Sequence, residues 1–475
     1  MTSPSAPPAD GHRRPNVVLI NCDDLGYGDL GCYGSTRNHT PAVDRLAAEG
    51  LRFESFYMAS PVCSPSRGAM LTGCYPPRIG FGSFNGQPVL FPGQAVGLAP
   101  SEVTIATMLA DAGYRTQMIG KWHCGDQPGF LPTNHGFEHY LGLPYSNDMG
   151  RQTSPPNFLS ELPPLPLMSD GEVIEQQPDQ ASLTERYVTE AVKFLRSAKD
   201  GPFFLYLAHM YVHLPIYVQE RFAKQSKNGS YGAAVEAIDW STSVIMHELR
   251  SLGLDDDTIV IFTSDNGSLV DRVPWGNKQP LGGSNGPLRG TKATTWEGGQ
   301  RVPGIVRWPR RIAAGRVSSE VVTAMDLLPT LAAVCGGSLP PDRTIDGRDV
   351  SPVWFDDNAK GPGDAFFYYW MNDLEAVRVG RWKLHFAKRG IETNELYDLE
   401  TDVGETVNLI DGHAGVVADL QRHAELARRS LGDARLGRVG DDLRAIGRVD
   451  NAQTLTRYDP EHPYYMAEYD LAEKG

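Results

Sequence analysis

Long apolar runs are missing from this sequence. The longest, Val321 to Cys335, is broken by Asp326 and Pro329, so no segment can cross a bilayer as an uninterrupted helix. The stretch Met1 to Pro15 is polar and rich in Ser, Pro and Ala. Its pair Arg13-Arg14 is followed only by the short run Val17 to Ile20, which leads straight into acidic residues. That stretch lacks the hydrophobic core of a secretory signal and reads as a frayed tail. Cysteine is scarce: six residues in 475, at positions 22, 32, 63, 74, 124 and 335, without paired zinc-type spacing. Free thiols in a reducing compartment are expected, and with them a cytoplasmic location. Basic charge is in deficit, 44 Lys+Arg against 58 Asp+Glu, a net charge of −14. The overall field repels nucleic-acid phosphates and anionic lipid, which argues against nucleic acid and membrane as partners. Any anionic substrate must then be held by a local cluster of cations.

What is present is material for a large core. Hydrophobic residues make up 41% and charged residues 21%, the balance of a globular protein with two or three domains, or one large domain with an appendage. Short bounded apolar runs, Asn16 to Cys22, Arg115 to Gly120, Pro202 to Ala208 and Thr258 to Ser264, read as strands buried on both faces of a parallel sheet. Between them lie helical patterns: Pro41 to Glu49, Thr104 to Ala112, Leu183 to Ser197 and Ala233 to Leu252. Three of these stop at Gly50, Gly113 and Gly253, each placed as a left-handed C-cap. The expected fold is α/β, a large doubly wound, mostly parallel sheet flanked by helices.

After about Val350 the texture changes to short strands, Phe366 to Trp370, Ala376 to Val379, Trp382 to Phe386 and Glu395 to Leu399, then a helix near Val416 to Ser430. The expected organisation is a tail over 1–15, a catalytic α/β domain over 16–350 and an α+β subdomain with an antiparallel sheet and tail over 351–475. The stretches Phe81 to Pro100 and Thr153 to Asp179 are long for connections and read as either substrate walls or disordered excursions.

Each of the four strands ends in a polar cluster: Asp23-Asp24, Lys121 with His123, His209 with His213, and Asp265-Asn266. One such ending is ordinary turn chemistry. Four together, at the edge where open α/β sheets bind ligands, point to one site. Asp23, Asp24, Asp265 and Asn266 offer oxygen ligands alone, suited to Ca²⁺ or Mg²⁺ rather than zinc. In Pro61-Val62-Cys63-Ser64-Pro65-Ser66-Arg67, followed by Leu71-Thr72-Gly73, Pro65 fits the first turn of a helix and Gly73 its end. Cys63 then sits at the positive pole, where a nucleophile is activated, with Arg67 one turn on and on the same face, able to fork onto the same anion.

These residues resemble the type I, formylglycine-dependent sulfatases of the alkaline phosphatase superfamily, in arylsulfatase-like form. The signature Cys-x-Pro-x-Arg with a trailing Thr-Gly is matched by Cys63 to Arg67 and Thr72-Gly73. The resemblance extends through Asp23 to Asp29, Thr40-Pro41 with Asp44-Arg45-Leu46, Gly120 to His123 and Thr263 to Gly267. It continues in Leu288 to Gly290 with Lys292, Glu297 to Gly299, and Glu395 to Leu399. It implies that a formylglycine-generating maturation enzyme converts Cys63 to an aldehyde whose hydrate attacks sulfur. It further implies that Asp23, Asp24, Asp265 and Asn266 hold one Ca²⁺, Mg²⁺ being the alternative, which also touches the residue at 63. Arg67 would fix the hydrate, and Lys121 and Lys292 would bind sulfate oxygens. His213 would contact the ester oxygen and His123 would serve the hydrate as base. Ser146, in Pro144 to Asp148, resembles a serine that orients the hydrate, and His209 reads either as a residue supporting the site from behind or as structural. The implied substrate is a small-molecule or carbohydrate sulfate ester. A phosphate or phosphonate monoester hydrolase of the same superfamily is the competing enzyme, and a silent anion-binding protein the competing non-enzyme.

Overall fold

The computed structural model describes residues 14–151, 161–270 and 281–464. Its main element is an eleven-stranded sheet. Thr258–Ser264, Asn16–Cys22, Phe203–Ala208, Arg115–Gly120 and His139–Gly142 lie side by side and parallel at its centre. Both faces of these strands are covered, which is why their sequences are continuous apolar runs. Along Asn16–Cys22, Val17 and Leu19 enter one core while Val18, Ile20 and Cys22 enter the core on the opposite face.

The flanks add antiparallel pairings, with Arg316–Ser318 and Val322–Thr323 running parallel to Leu51–Tyr57 at one edge. Arg301–Arg307 pairs antiparallel with both Thr258–Ser264 and Leu51–Tyr57, and the hairpin Pro166–Ser169 with Glu172–Gln176 extends the far edge. Part of the Pro-rich stretch read as an excursion is therefore sheet, while 152–160 lies outside the described residues. The stretch 81–100 is neither disordered nor a free lid: Phe81, Phe84, Leu90, Val96 and Leu98 are all buried in the core.

The expected helices are present as Pro41–Ala48, Ile105–Asp111, Gln180–Ala198 and Gly229–Ser251. Gly113 and Gly253 follow two of them in the left-handed region, at φ of 84° and 68°. Gly50 differs from the C-cap reading. Its φ is not positive, and a Cβ there would stand 2.5 Å from the Val306 carbonyl oxygen, so glycine is required for close approach to the neighbouring strand.

Beyond the large sheet, Phe366–Trp370, Asp373–Val379, Trp382–Lys388 and Ile391–Asp398 form a four-stranded antiparallel sheet covered by helix Ala414–Leu431. Its core also takes in Tyr57, Ala59, Ala69 and Tyr75 from the larger part of the molecule, so the two sheets share an apolar contact. Among the described residues no helix is long and apolar enough to cross a membrane.

Candidate active site

The site lies where the central parallel strands end, and the backbone there turns sharply. Strand Asn16–Cys22 runs into Asp23 and Asp24, with Asp24 at φ 60°. The turn is held by neighbouring strand ends: Asp23 N–H donates to the Tyr211 carbonyl (2.8 Å), Asp24 N–H to Asp265 Oδ1 (3.2 Å) and Leu25 N–H to Ser264 Oγ (2.9 Å). Strand Arg115–Gly120 ends at a glycine with φ 103°, where a Cβ would fall 1.8 Å from the Ala208 carbonyl oxygen. His123 at φ 61° and Ala293 at φ 66° are also left-handed. Three non-glycine residues in this region at one place mark strain retained where side chains must be aimed.

Helix Cys63–Thr72 begins at Cys63 itself and stops at Gly73, φ 69°, whose N–H closes onto the Ala69 carbonyl. All ten of its residues are buried. Ser66 Oγ donates to the Asp265 carbonyl, and the Leu90 N–H donates to Ser64 Oγ at 3.1 Å, which ties the 81–100 stretch to the motif.

The charged groups interlock in pairs. Arg67 Nε and Nη2 each lie 2.8 Å from Asp265 Oδ2, and Arg67 Nη1 donates to the Lys121 carbonyl at 2.8 Å. Lys121 Nζ is 2.6 Å from Asp23 and 3.2 Å from Ser146 Oγ, while Lys292 Nζ is 2.9 Å from Asp24. His213 Nε2 stands 3.8 Å from Asp24. Ligand atoms of Asp23, Cys63 and Asp265 lie within 4.8 Å of one another, as do those of Asp24, Cys63 and His213. Side-chain exposure rises from 0% at Asp23, Arg67 and Lys121 through 4% at Asp24 and His213 to 10% at Lys292. The centre therefore opens towards solvent on the Lys292 side.

Burial and these pairings set the protonation states. Against burial, Lys121, His213 and Arg67 hold the Asp23 carboxyl well below the usual carboxylate range. Burial, reinforced by the Asp23 carboxylate, pushes Asp265 up to about 7 despite Arg67. Both lysines keep their protons, because the Asp23 and Asp24 carboxylates outweigh burial. Burial and then Lys121 drive His123 well below its ordinary value. Its Nε2 meets the Leu90 carbonyl at 2.9 Å, and since a carbonyl only accepts, Nε2 carries the hydrogen and Nδ1 keeps its lone pair. By the same reasoning His213 Nδ1, 2.6 Å from the Leu214 carbonyl, is protonated.

Three carboxylates and an amide converge here, and buried oxygens of two of these groups, Asp23 Oδ1 and Asn266 Oδ1, have no hydrogen-bond donor. An all-oxygen, acid-rich set with orphaned acceptors fits a hard divalent cation.

A family model described as Sulfatase matches residues 15–337, and one described as N-sulphoglucosamine sulphohydrolase, C-terminal, matches residues 291–430. The chain belongs to the sulfatase family. This sulfatase is 40% identical over 447 residues to arylsulfatase A of Homo sapiens, spanning 86% of each chain. It is 41% identical over 397 residues to N-acetylgalactosamine-6-sulfatase of Rattus norvegicus, spanning 79% of this chain and 72% of the relative. Among solved structures it is similar to the PsFucS1 sulfatase from Pseudoalteromonas sp., with a TM-score of 0.78 and 30% identity, spanning 88% of this chain and 89% of that one. It is accordingly a sulfuric ester hydrolase of the alkaline phosphatase superfamily.

The structure brings Cys63, Arg67, Lys121, His213, Lys292 and Ser146 together with Asp23, Asp24, Asp265 and Asn266, and places His123 two residues beyond Lys121. One expectation is corrected. The Cys63 thiol is not activated by its helix pole: burial dominates and pushes it up to about 12 in spite of Lys121 and Lys292. Arg67 spends Nε on Asp265 and Nη1 on the Lys121 carbonyl, while its buried Nη2 has no hydrogen-bond partner among the described residues. His209 is buried with neither ring nitrogen hydrogen-bonded.

Sequence reasoning missed the support beneath the Lys292 segment of this sulfatase. Glu297, 0% exposed, receives Lys383 at 2.9 Å and the Tyr368 hydroxyl at 2.6 Å. Lys383 also donates to the Thr295 carbonyl at 2.9 Å. Glu405 accepts the Glu297 N–H at 2.8 Å and faces His385 at 2.8 Å. Glu297 stood in a recognised motif, but these partners come from segments some 70 to 110 residues later, and no local pattern announces them.

Proposed function

We propose that this sulfatase hydrolyses sulfate monoesters of aryl or carbohydrate alcohols, using formylglycine made from Cys63 and one bound Ca²⁺. The observation that carries the reading is the position of Cys63: its sulfur lies within 4.8 Å of ligand atoms of Asp23, Asp24, Asp265 and His213. Asp23, Asp24, Asp265 and Asn266 would hold the cation, and the carboxylate-rich oxygen set favours Ca²⁺ over Mg²⁺, which demands stricter octahedral geometry. The cation supplies Lewis acidity towards a sulfate oxygen, and formylglycine supplies, as its hydrate, one hydroxyl to attack and a second whose deprotonation releases sulfate.

The remaining work belongs to side chains already in place. Arg67 anchors Asp265 at the inner side of the centre. Lys121 and Lys292 direct fixed positive charge at the oxygens where charge builds in the transition state. Ser146 sits between Lys121 and His213, aligning both. Lys292 carries a proton at the solvent-facing side, where the leaving alcohol departs, and His213 Nε2 completes that contact. His123, with a free Nδ1 lone pair, is the base for the second hydroxyl. Burial of these groups keeps bulk water from competing.

Maturation is assigned to a formylglycine-generating enzyme that reads Cys63, Pro65 and Arg67. The competing phosphate or phosphonate hydrolase reading is less favoured because, among the described residues, both candidate ligand groups share Cys63 and make one centre rather than two. The test is kcat/KM of enzyme co-produced with the maturation enzyme on matched 4-nitrophenyl sulfate, phosphate and phenylphosphonate esters. Sulfate should lead. A lead of more than about tenfold, or ~1.4 kcal/mol, for a phosphorus ester would replace this function with the competing one.

A further inference from the structure

The cations at the heart of the site are paired with Asp23, Asp24 and Asp265, which weakens their pull on an anion approaching against a net charge of −14. One further cation stands beside the Lys292 segment. Arg389 occupies the turn between strands Trp382–Lys388 and Ile391–Asp398 of the small sheet. Its Nη2 donates to the carbonyl of Ala293, the residue after Lys292. Ala293 N–H in turn donates to the Pro61 carbonyl at 2.8 Å, two residues before Cys63. A short chain of backbone contacts thus connects the Arg389 guanidinium to the nucleophile position, on the side where the centre opens.

Arg389 is also held firmly. Its guanidinium carbon lies 3.4 Å from the centre of the Trp370 ring, and its N–H donates to Glu375. Among the described residues it makes no ion pair; Glu375, the acid nearest its charge, spends its other oxygen on the Thr295 hydroxyl at 2.6 Å. A fixed guanidinium with unspent N–H groups is a fork for a carboxylate or a second sulfate. Lys388 precedes it, 3.5 Å from the Trp296 ring centre, and Arg289 lies 3.6 Å from the same ring. Lys388 is paired with Glu395, and Arg289 Nη1 donates to the Glu405 carbonyl, so neither is as free as Arg389.

We propose that Arg389 is a specificity residue that binds a second anionic group on the substrate, making the preferred substrate a carbohydrate sulfate that carries another sulfate or a carboxylate. The inference rests on the sulfate-ester reading of the site and adds the substrate class. The scissile sulfate occupies the buried centre, and the second anion meets Arg389 at the rim.

The test compares glucosamine 6-sulfate with glucosamine-2-N,6-O-disulfate. For each, KM is measured where the sugar is turned over, and Ki against 4-nitrophenyl sulfate where it is not. In the wild-type enzyme the doubly charged sugar should bind at least about tenfold more tightly. Arg389→Ala should collapse that ratio to within about twofold of unity, and Arg389→Lys should restore part of it. A wild-type ratio near one, or a ratio untouched by Arg389→Ala, overturns the inference. The wild-type ratio decides the matter if the variant fails to fold. Absence of any sulfate-ester hydrolysis by enzyme carrying formylglycine would instead remove the functional reading, and this inference with it.

Discussion

Glu297 and Lys383 meet at 2.9 Å with neither side chain exposed, and through them the small C-terminal sheet grips the segment that presents Lys292. Removing one partner of a buried pair strands the other charge, at a cost of about 3–5 kcal/mol. Lys383→Met should therefore lower the urea midpoint markedly, while Glu297→Gln combined with Lys383→Met should cost less than the sum of the two single changes. Single variants that unfold at the wild-type midpoint would show that the pair does not hold this segment.

Two buried histidines pull stability down on the acid side. Burial pushes both His135 and His209 down to about 4, from 6.5. A depressed folded value means that the stability is fully present above about pH 6.5 and is lost as the pH falls towards 4, by on the order of 3 kcal/mol for each group. His209→Leu should shift the limb between pH 6.5 and 4 towards higher stability at its acid end in a pH series of urea unfolding. An unchanged limb would contradict the assignment.

Within the same pH window four buried carboxyls act with the opposite sign. Burial raises Asp29 to about 7 and Asp126, Asp239 and Asp326 to about 6, so the stability they contribute is complete below about pH 3.8 and lost as the pH rises through 6 to 7. Asp239→Asn, at a site where Asp239 accepts the Ala42 and Val43 N–H groups, should reduce the loss between pH 5 and 7. A pH profile identical to wild type would refute this.

Asp24 should link metal and catalysis. Asp24→Ala removes a proposed ligand and the partner of Lys292, so metal content and sulfatase activity should disappear together. Stoichiometric zinc, or full activity in metal-free enzyme, would contradict the cation assigned here.

Lys121 and Ser146 should differ in weight. Lys121→Ala deletes a fixed charge at the centre and should lower kcat/KM by at least about a hundredfold, whereas Ser146→Ala removes only a 3.2 Å partner of Lys121 and should cost about tenfold. The reverse order would place Ser146, not Lys121, in contact with the reacting group.

Legibility in the sequence followed the range of the interaction. Strands buried on both faces, such as Asn16–Cys22 and Thr258–Ser264, show themselves as unbroken apolar runs, and their polar ends marked the site. Strand Arg301–Arg307 is hidden in the sequence because Pro303 and Gly304 interrupt it; the register shifts between Val302 and Gly304, which accommodates them. Leu51–Tyr57 was missed because Arg52 and Glu54, the half-buried positions of its alternation, interrupt its apolar residues. Motif residues were legible singly, since each lies within a few positions of its signature. The Arg67–Asp265 and Glu297–Lys383 contacts, and the placement of Arg389 beside Ala293, join distant segments and required the fold.

The central claim is that position 63 acts as formylglycine. The direct measurement is peptide mass at that position alongside turnover of 4-nitrophenyl sulfate, in enzyme made with and without the maturation enzyme. Active enzyme should show replacement of the Cys63 sulfur by oxygen with loss of two hydrogens. Enzyme with unmodified thiol should be largely inactive, because a thiol offers no second hydroxyl whose deprotonation expels sulfate. Cys63→Ala should retain metal without turnover, and Cys63→Ser should at most be trapped carrying sulfate. Full activity in a sample whose peptide shows only cysteine at 63 would contradict the account.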